Sequence, residues 1–218
     1  MNIQYIIKNG LYLPFISFLI YFIVGDIYLP LFFFLKSFSV NYFLNFNHLY
    51  ENPEWVKWKH MTRLTDTGHI ASFLFYYNKS FLPIAHNIHF IITFAYHSTK
   101  YLLGLKEAVE VENKEICSWA QNVHEFMNHS IHYIIMSHYI LNNKRDDCVF
   151  NEISLTFTYI WIYTWLFCIY IPWVYFTRDY LYSILEPKTP MKIKLSVIFF
   201  VNCMVFLSNE VGSYLEGC

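Results

Sequence analysis

The sequence predicts an all-α membrane protein, a polytopic helix bundle of about six transmembrane helices forming one domain over residues 1–218. Three observations carry this. First, only 14% of the residues are charged while 56% are hydrophobic; a soluble domain has roughly 25% charged residues. Too little polar surface remains to cover a globule in water. Second, the chain holds 22 Phe and 19 Tyr, far more aromatic bulk than one core needs. Third, apolar stretches of about 20 residues, enough to cross a hydrocarbon layer, recur between short charged connections.

Each span has its own signals. The first covers 11–35. Lys8 and the run "LYLPFISFLIYFIVG" imitate a signal peptide, but no small-x-small cleavage site follows, so the run reads as a retained span. Asp26 and Pro30 predict a bend or an early exit. The second span, 56–77, is the most polar, and Lys57 and Lys59 at its start can snorkel to the interface. The third, 81–103, has Pro83 near its start, where proline is tolerated. The fourth is 122–142, the fifth 153–176 and the sixth 193–215. Polar spans face the interior of a bundle, which points to spans two and four for function. "GLKEAVEVENKEICSWAQ" reads as a charged surface helix between spans three and four; "NNKRDDC" is a turn between four and five. No internal repeat supports a repeat-built transporter.

The net charge of −1 gives no footprint for a nucleic-acid partner. The five cysteines form no CxxC pair and no zinc spacing, so neither a disulfide framework nor a structural metal is expected. Cys168 and Cys203 fall in apolar runs and read as small hydrophobes. Orientation follows from the basic residues. With six spans, the N-terminus, second loop and fourth loop share a side carrying 4 of them, Lys8, Lys79, Lys144 and Arg145. The opposite side carries the other 11, which places the first, third and fifth loops in the cytoplasm.

The fourth span holds the first chemical candidates. "EFMNHSIHYIIMSHYIL", Glu125–Leu141, carries His129, His132 and His138 in an apolar setting, with His124 just before it. Asn128 and His132 are i,i+4, and His129 is i,i+3 from His132, so "NHSIH" forms a polar patch. His138 lies six residues beyond His132, rotated by about 240° net, and faces elsewhere. The patch has three readings: neutral histidines bonding neighbouring helices, metal ligands, or a general base working near neutral pH. Ten histidines invite comparison with membrane di-iron hydroxylases. Yet "HNIH" and "HSIH" are HxxH, no adjacent His-His pair exists, and the ligand set is incomplete. A base needs a nucleophile, and "VKWKHMTRLTDTGHIAS" in span two offers Thr62, Thr65, Thr67 and Ser72. Hydroxyls in such helices commonly bond back to their own backbone. At about 1.5 Å per residue, Thr62 and His132 sit at depths differing by roughly 6 Å, so they can meet. Depth alone does not choose among the threonines.

Two motifs resemble those of the androgen-induced FAR-17a family of multipass membrane proteins. "NHSIH" is similar to the family's N-H-G-M-H at Asn128, His129 and His132, with Ser130 and Ile131 in place of Gly-Met. "WKHMT" is similar to its W-K-x-x-T at Trp58, Lys59 and Thr62. Pro83, Tyr96 and the stretch "SNEVGSYL" keep similar positions, so the resemblance runs from about Trp55 onward. The second loop is shorter than in the family and the third is longer. The resemblance implies a hydrolase of fatty acid esters of hydroxy fatty acids, with Thr62 as nucleophile and His132 as base. It implies a lipid substrate drawn from the bilayer, no cofactor and no metal, in a multipass protein of the endoplasmic reticulum or plasma membrane.

Around that pair, Asn128 is expected to orient the imidazole or bind an oxyanion. His129 is a neighbour in the patch, Thr65 a second hydroxyl, and Asp66 either an orienting carboxylate or a partner of Arg63. Glu210, a carboxylate inside the last span, is expected to be paired or protonated unless solvated, with His86, His89 and His97 as possible partners. Two other readings stand beside the hydrolase: a non-enzymatic membrane protein, either a small transporter or a complex subunit, and the His-rich di-iron hydroxylase.

Overall fold

The computed structural model describes residues 62–101, 118–144 and 147–218. The predicted first span, Trp58 and Lys59 lie outside them. Among the described residues all regular structure is helical. It comprises α1 (Leu64–Tyr77), a 3-10 turn (Lys79–Phe81), α2 (Leu82–Tyr101), α3 (Ser118–His129), α4 (Ile131–Asn142), α5 (Glu152–Thr177), a second 3-10 turn (Ser183–Leu185) and α6 (Met191–Glu216). The chain separates into two compact units, Met1–Met61 with Lys106–Asn128, and Thr62–Leu105 with His129–Cys218. The described part of the first is α3 up to Asn128. The second holds α1, α2, α4, α5 and α6.

In the second unit α2 is the central element, packed against α1, α4, α5 and α6. Its first half is buried on every side, from Leu82 to Ile92. Leu82, Ile84, Ala85, Ile88, Ile91 and Ile92 supply the apolar core there, joined by Met136 and Ile140 of α4 and Met204 and Val205 of α6. His86, Asn87 and His89 are buried in the same stretch. Polar groups in such a place are generally hydrogen-bonded; His89 belongs to the site described below, and His86 and Asn87 to a second polar cluster. Gly68 lets α1 approach α2 closely. A Cβ there would lie 2.6 Å from Ile92 Cδ1 and 3.1 Å from His89 Cε1.

The fifth helix starts and bends for identifiable reasons. Asn151 accepts from the N–H groups of Ile153 and Ser154 at 3.0 and 3.1 Å, while Ser154 Oγ accepts the Asn151 N–H at 2.9 Å. This reciprocal cap satisfies donors that the first turn leaves open. Further on, Leu166–Tyr170 widen into a π-turn directly before Pro172. Proline offers no N–H to the carbonyl four residues back, and its ring crowds that carbonyl. A single widened turn accommodates both effects. The helix ends at Arg178, which takes the left-handed conformation (φ 59°) and donates its N–H to the Val174 carbonyl at 2.9 Å.

Two helices, Glu152–Thr177 and Met191–Glu216, are long and apolar enough to cross a membrane, and their most apolar windows are only 28% and 17% buried. A core helix of a soluble protein hides such a surface. Here Ile153, Phe157, Ile160, Phe167, Ile171 and Tyr175 stand exposed along α5 at helical spacing, and Ile198, Phe199, Phe206 and Leu207 along α6.

Two expectations are corrected. The fourth span is not one helix: Ser130 breaks it (φ −126°, ψ −40°) between α3 and α4. The Thr93 hydroxyl takes the His129 carbonyl and His97 Nε2 meets Ser130 Oγ at 2.9 Å, so α2 holds the break open. Asn128 and His132 therefore do not share one continuous helix. The cysteines do contain a disulfide, Cys148–Cys218, which spacing could not reveal because its partners are 70 residues apart. Beside it the Glu216 carboxylate accepts from the N–H groups of Val149 and Phe150 at 2.9 and 3.4 Å. Gly212 leaves room for the Phe150 ring, which a Cβ would strike.

Candidate functional site

Three imidazoles meet between α1, α2 and α4. His132 stacks on His89 with centroids 4.6 Å apart and planes at 17°, and lies 5.0 Å from His69. His69 and His89 are 5.8 Å apart. All three are at most 3% exposed, so the cluster sits well inside the bundle. Asp66, one turn before His69 on α1, places Oδ1 3.9 Å from His69 Nδ1. That is beyond a direct hydrogen bond but close enough to stabilise positive charge arising on the cluster.

His89 is fixed on its far side. Its Nε2 lies 2.9 Å from the Gly68 carbonyl and 2.7 Å from Ser72 Oγ. A carbonyl can only accept, so the tautomer assigned from this network carries its proton on Nε2. Nitrogen in that state cannot deprotonate Ser72. Ser72 is therefore a structural tie between α1 and α2, although its contact looks like a nucleophile–base pair.

Thr62 lies at the entrance to α1. Arg63 is extended (φ −71°, ψ 149°), so the helix begins only at Leu64. The Thr62 carbonyl accepts the Trp165 indole N–H at 2.9 Å, and the Leu64 N–H is donated to the Tyr182 hydroxyl at 3.2 Å. Aromatic residues of α5 and of the segment after it thus position the backbone on both sides of Arg63. From the start of α1 at Leu64, Asp66 comes two residues later and His69 five, about 7.5 Å along the axis. Thr65 is buried on the first turn, and Thr67 donates its hydroxyl back to the Leu64 carbonyl at 2.8 Å.

The remaining predicted residues separate. His129 leaves the imidazole cluster and stacks on Tyr96, 3.7 Å and 4° apart. Asn128 ends the described part of the first unit. His138 is exposed on α4. Glu210 is exposed as well, because α6 buries the face of Met204, Val205, Ser208, Asn209, Gly212 and Glu216. The buried carboxylate of α6 is Glu216.

A second polar cluster went unread in the sequence. Asn87 donates to Thr158 Oγ1 at 3.1 Å and to Asn209 Oδ1 at 3.2 Å, and Ser154 Oγ lies 2.8 Å from the same Asn209 oxygen. It ties α2 to α5 and α6. His86 adjoins it through Asn87 Oδ1 at 3.1 Å, its ring packed against Tyr133 and Phe150. Asn87 sits in "HNIH" and Asn209 beside Glu210 in "SNEV"; neither amide carries a charge or a spacing that marks it in the sequence.

Among the described residues one trio of metal-capable groups converges within 4.8 Å, Cys148, Glu216 and Cys218. Its two sulfurs are bonded to each other. Compared with protein families, curated proteins and solved structures, the chain finds no match.

Proposed function

We propose that the protein is a membrane-embedded lipid ester hydrolase with Thr62 as nucleophile and His132 as base, set in a bundle of about six spans. The observation that carries this reading is the buried imidazole cluster of His69, His89 and His132, with Asp66 3.9 Å from His69. In this mechanism His132 takes the Thr62 hydroxyl proton as the oxygen attacks the ester carbonyl carbon. The tetrahedral adduct expels the alkoxide, which receives that proton. Water, deprotonated by the same imidazole, then cleaves the acyl–threonine ester, releasing a fatty acid and restoring Thr62. Neighbouring imidazoles and the Asp66 carboxylate favour the transient imidazolium. Thr65 is the alternative hydroxyl on the same helix.

Membrane embedding is supported by the exposed apolar faces of α5 and α6, and such faces let a lipid enter sideways. Orientation gains support from the disulfide. Cys148 lies in the fourth loop and Cys218 follows the sixth span, both on the side poor in Lys and Arg. Disulfides persist in oxidising compartments, so this end faces the lumen or the exterior and the basic end the cytosol.

The test uses membranes holding the full chain and a branched fatty ester. Thr62→Ala and His132→Ala should each abolish hydrolysis at unchanged protein level. Full activity in both variants would refute the reading. A second reading is a non-enzymatic transporter or complex subunit, for which the Asn87–Thr158–Asn209 cluster is a second group of buried polar side chains beside the imidazoles. Labelling by a fluorophosphonate probe, lost in Thr62→Ala, separates the two.

A further inference from the structure

The Tyr170 side chain is 5% exposed and its hydroxyl has no hydrogen-bond partner among the described residues. Buried tyrosines normally place that hydroxyl against an acceptor. Its ring lies 5.5 Å from Trp165 and 5.9 Å from Tyr182, and those two rings are 6.2 Å apart. Both neighbours hold the backbone next to Arg63: Trp165 bonds the Thr62 carbonyl and Tyr182 accepts the Leu64 N–H. The unpartnered phenol therefore belongs to the same aromatic wall that positions Thr62.

The π-turn explains how it comes to be there. In a regular α-helix, residues five apart point about 140° away from each other. In a π-turn, residues i and i+5 come together on one face. Leu166–Tyr170 form that turn, so Tyr170 is brought onto the Trp165 side. Pro172 is the local cause of the turn, and such turns are frequent at functional sites.

We propose that Tyr170 is a further catalytic residue, its hydroxyl donating a hydrogen bond to the carbonyl oxygen of the ester that Thr62 attacks. The proposal rests on the hydrolase reading. As the Thr62 oxygen bonds to the carbonyl carbon, the C=O electron pair moves onto oxygen, and the Tyr170 O–H stabilises the oxyanion. Tyr170 gives up no proton; the one from Thr62 passes to His132 and then to the leaving alkoxide. A preorganised donor of this kind acts strongly in a water-poor site. The surrounding rings suit the first carbons of an acyl chain.

The experiment compares Tyr170→Phe and Thr62→Ala with the parent chain, reconstituted in lipid, using a p-nitrophenyl fatty ester as substrate. Tyr170→Phe should lower kcat by about 10²-fold or more, as loss of one oxyanion donor does. Its melting temperature should stay level or rise, because the removed hydroxyl bonds nothing among the described residues. Full kcat in Tyr170→Phe, with Thr62→Ala inactive, overturns the Tyr170 assignment and leaves the hydrolase reading intact. A lowered melting temperature, or failure of Tyr170→Phe to accumulate, shows a structural hydroxyl and overturns it too. Full activity in Thr62→Ala overturns the hydrolase reading and this proposal with it.

Discussion

Proton placement separates the hydroxyls of α1 more sharply than distance does. Ser72 makes the short contact to an imidazole, 2.7 Å to His89 Nε2, but the Gly68 carbonyl at 2.9 Å commits that nitrogen to donating. Ser72→Ala should therefore keep hydrolysis within about tenfold of the parent while lowering stability by about 1 kcal/mol, the net worth of one hydrogen bond. Loss of all activity in that variant would transfer the nucleophile role to Ser72. Gly68 is the other sensitive position. Ile92 Cδ1 can swing away from a new methyl group, but His89 is held by two contacts, so the added atom pushes on the cluster. Gly68→Ala should cost about 1–3 kcal/mol by thermal melting, the usual penalty of overpacking.

Among the helices, α2 matters most because it contributes to both polar clusters. His89 belongs to the imidazole group, and Asn87, two residues earlier, binds α5 and α6. The second cluster is an adhesive. Asn87→Leu should destabilise the bundle by about 1–3 kcal/mol, the cost of orphaned buried polar groups, and the folded fraction should retain its activity per molecule. A large drop in kcat of the folded fraction would instead place Asn87 in the reaction. α5 offers a separate test. Pro172→Ala restores the missing N–H donor and lets the π-turn relax to α-helix. The Trp165–Tyr170 pairing would then be lost, and activity should fall as in Tyr170→Phe without any change at Thr62 or His132.

At the scale of the whole molecule, the disulfide closes the chain over a long span. Cys148 and Cys218 are 70 residues apart and enclose α5 and α6. Cys218→Ser should cost about 2–4 kcal/mol, read as a lower melting temperature. In sealed vesicles, a membrane-impermeant maleimide should label Cys218, after mild reduction, only from the lumenal or exterior face. Labelling from the cytosolic face would reverse the orientation that both the basic residues and the disulfide support. The exposed apolar faces of α5 and α6 also predict that the protein stays with membranes through high-salt and carbonate washes. Release by carbonate would contradict a spanning protein.

The sequence by itself determined the helical class, the apolar stretches now seen as α5 and α6, and the concentration of imidazole on α2 and α4. These follow from composition and local periodicity, which need no knowledge of neighbours. Only the tertiary structure decided which polar groups meet. It parted His129 from His132 through the break at Ser130, where the Thr93 hydroxyl of α2 donates to the His129 carbonyl that would otherwise continue the helix. It turned Asn209 inward and Glu210 outward, because one residue is about 100° of rotation on a helix. It joined Cys148 to Cys218 and brought Trp165 to Thr62, contacts across 70 and 103 positions that no local pattern encodes.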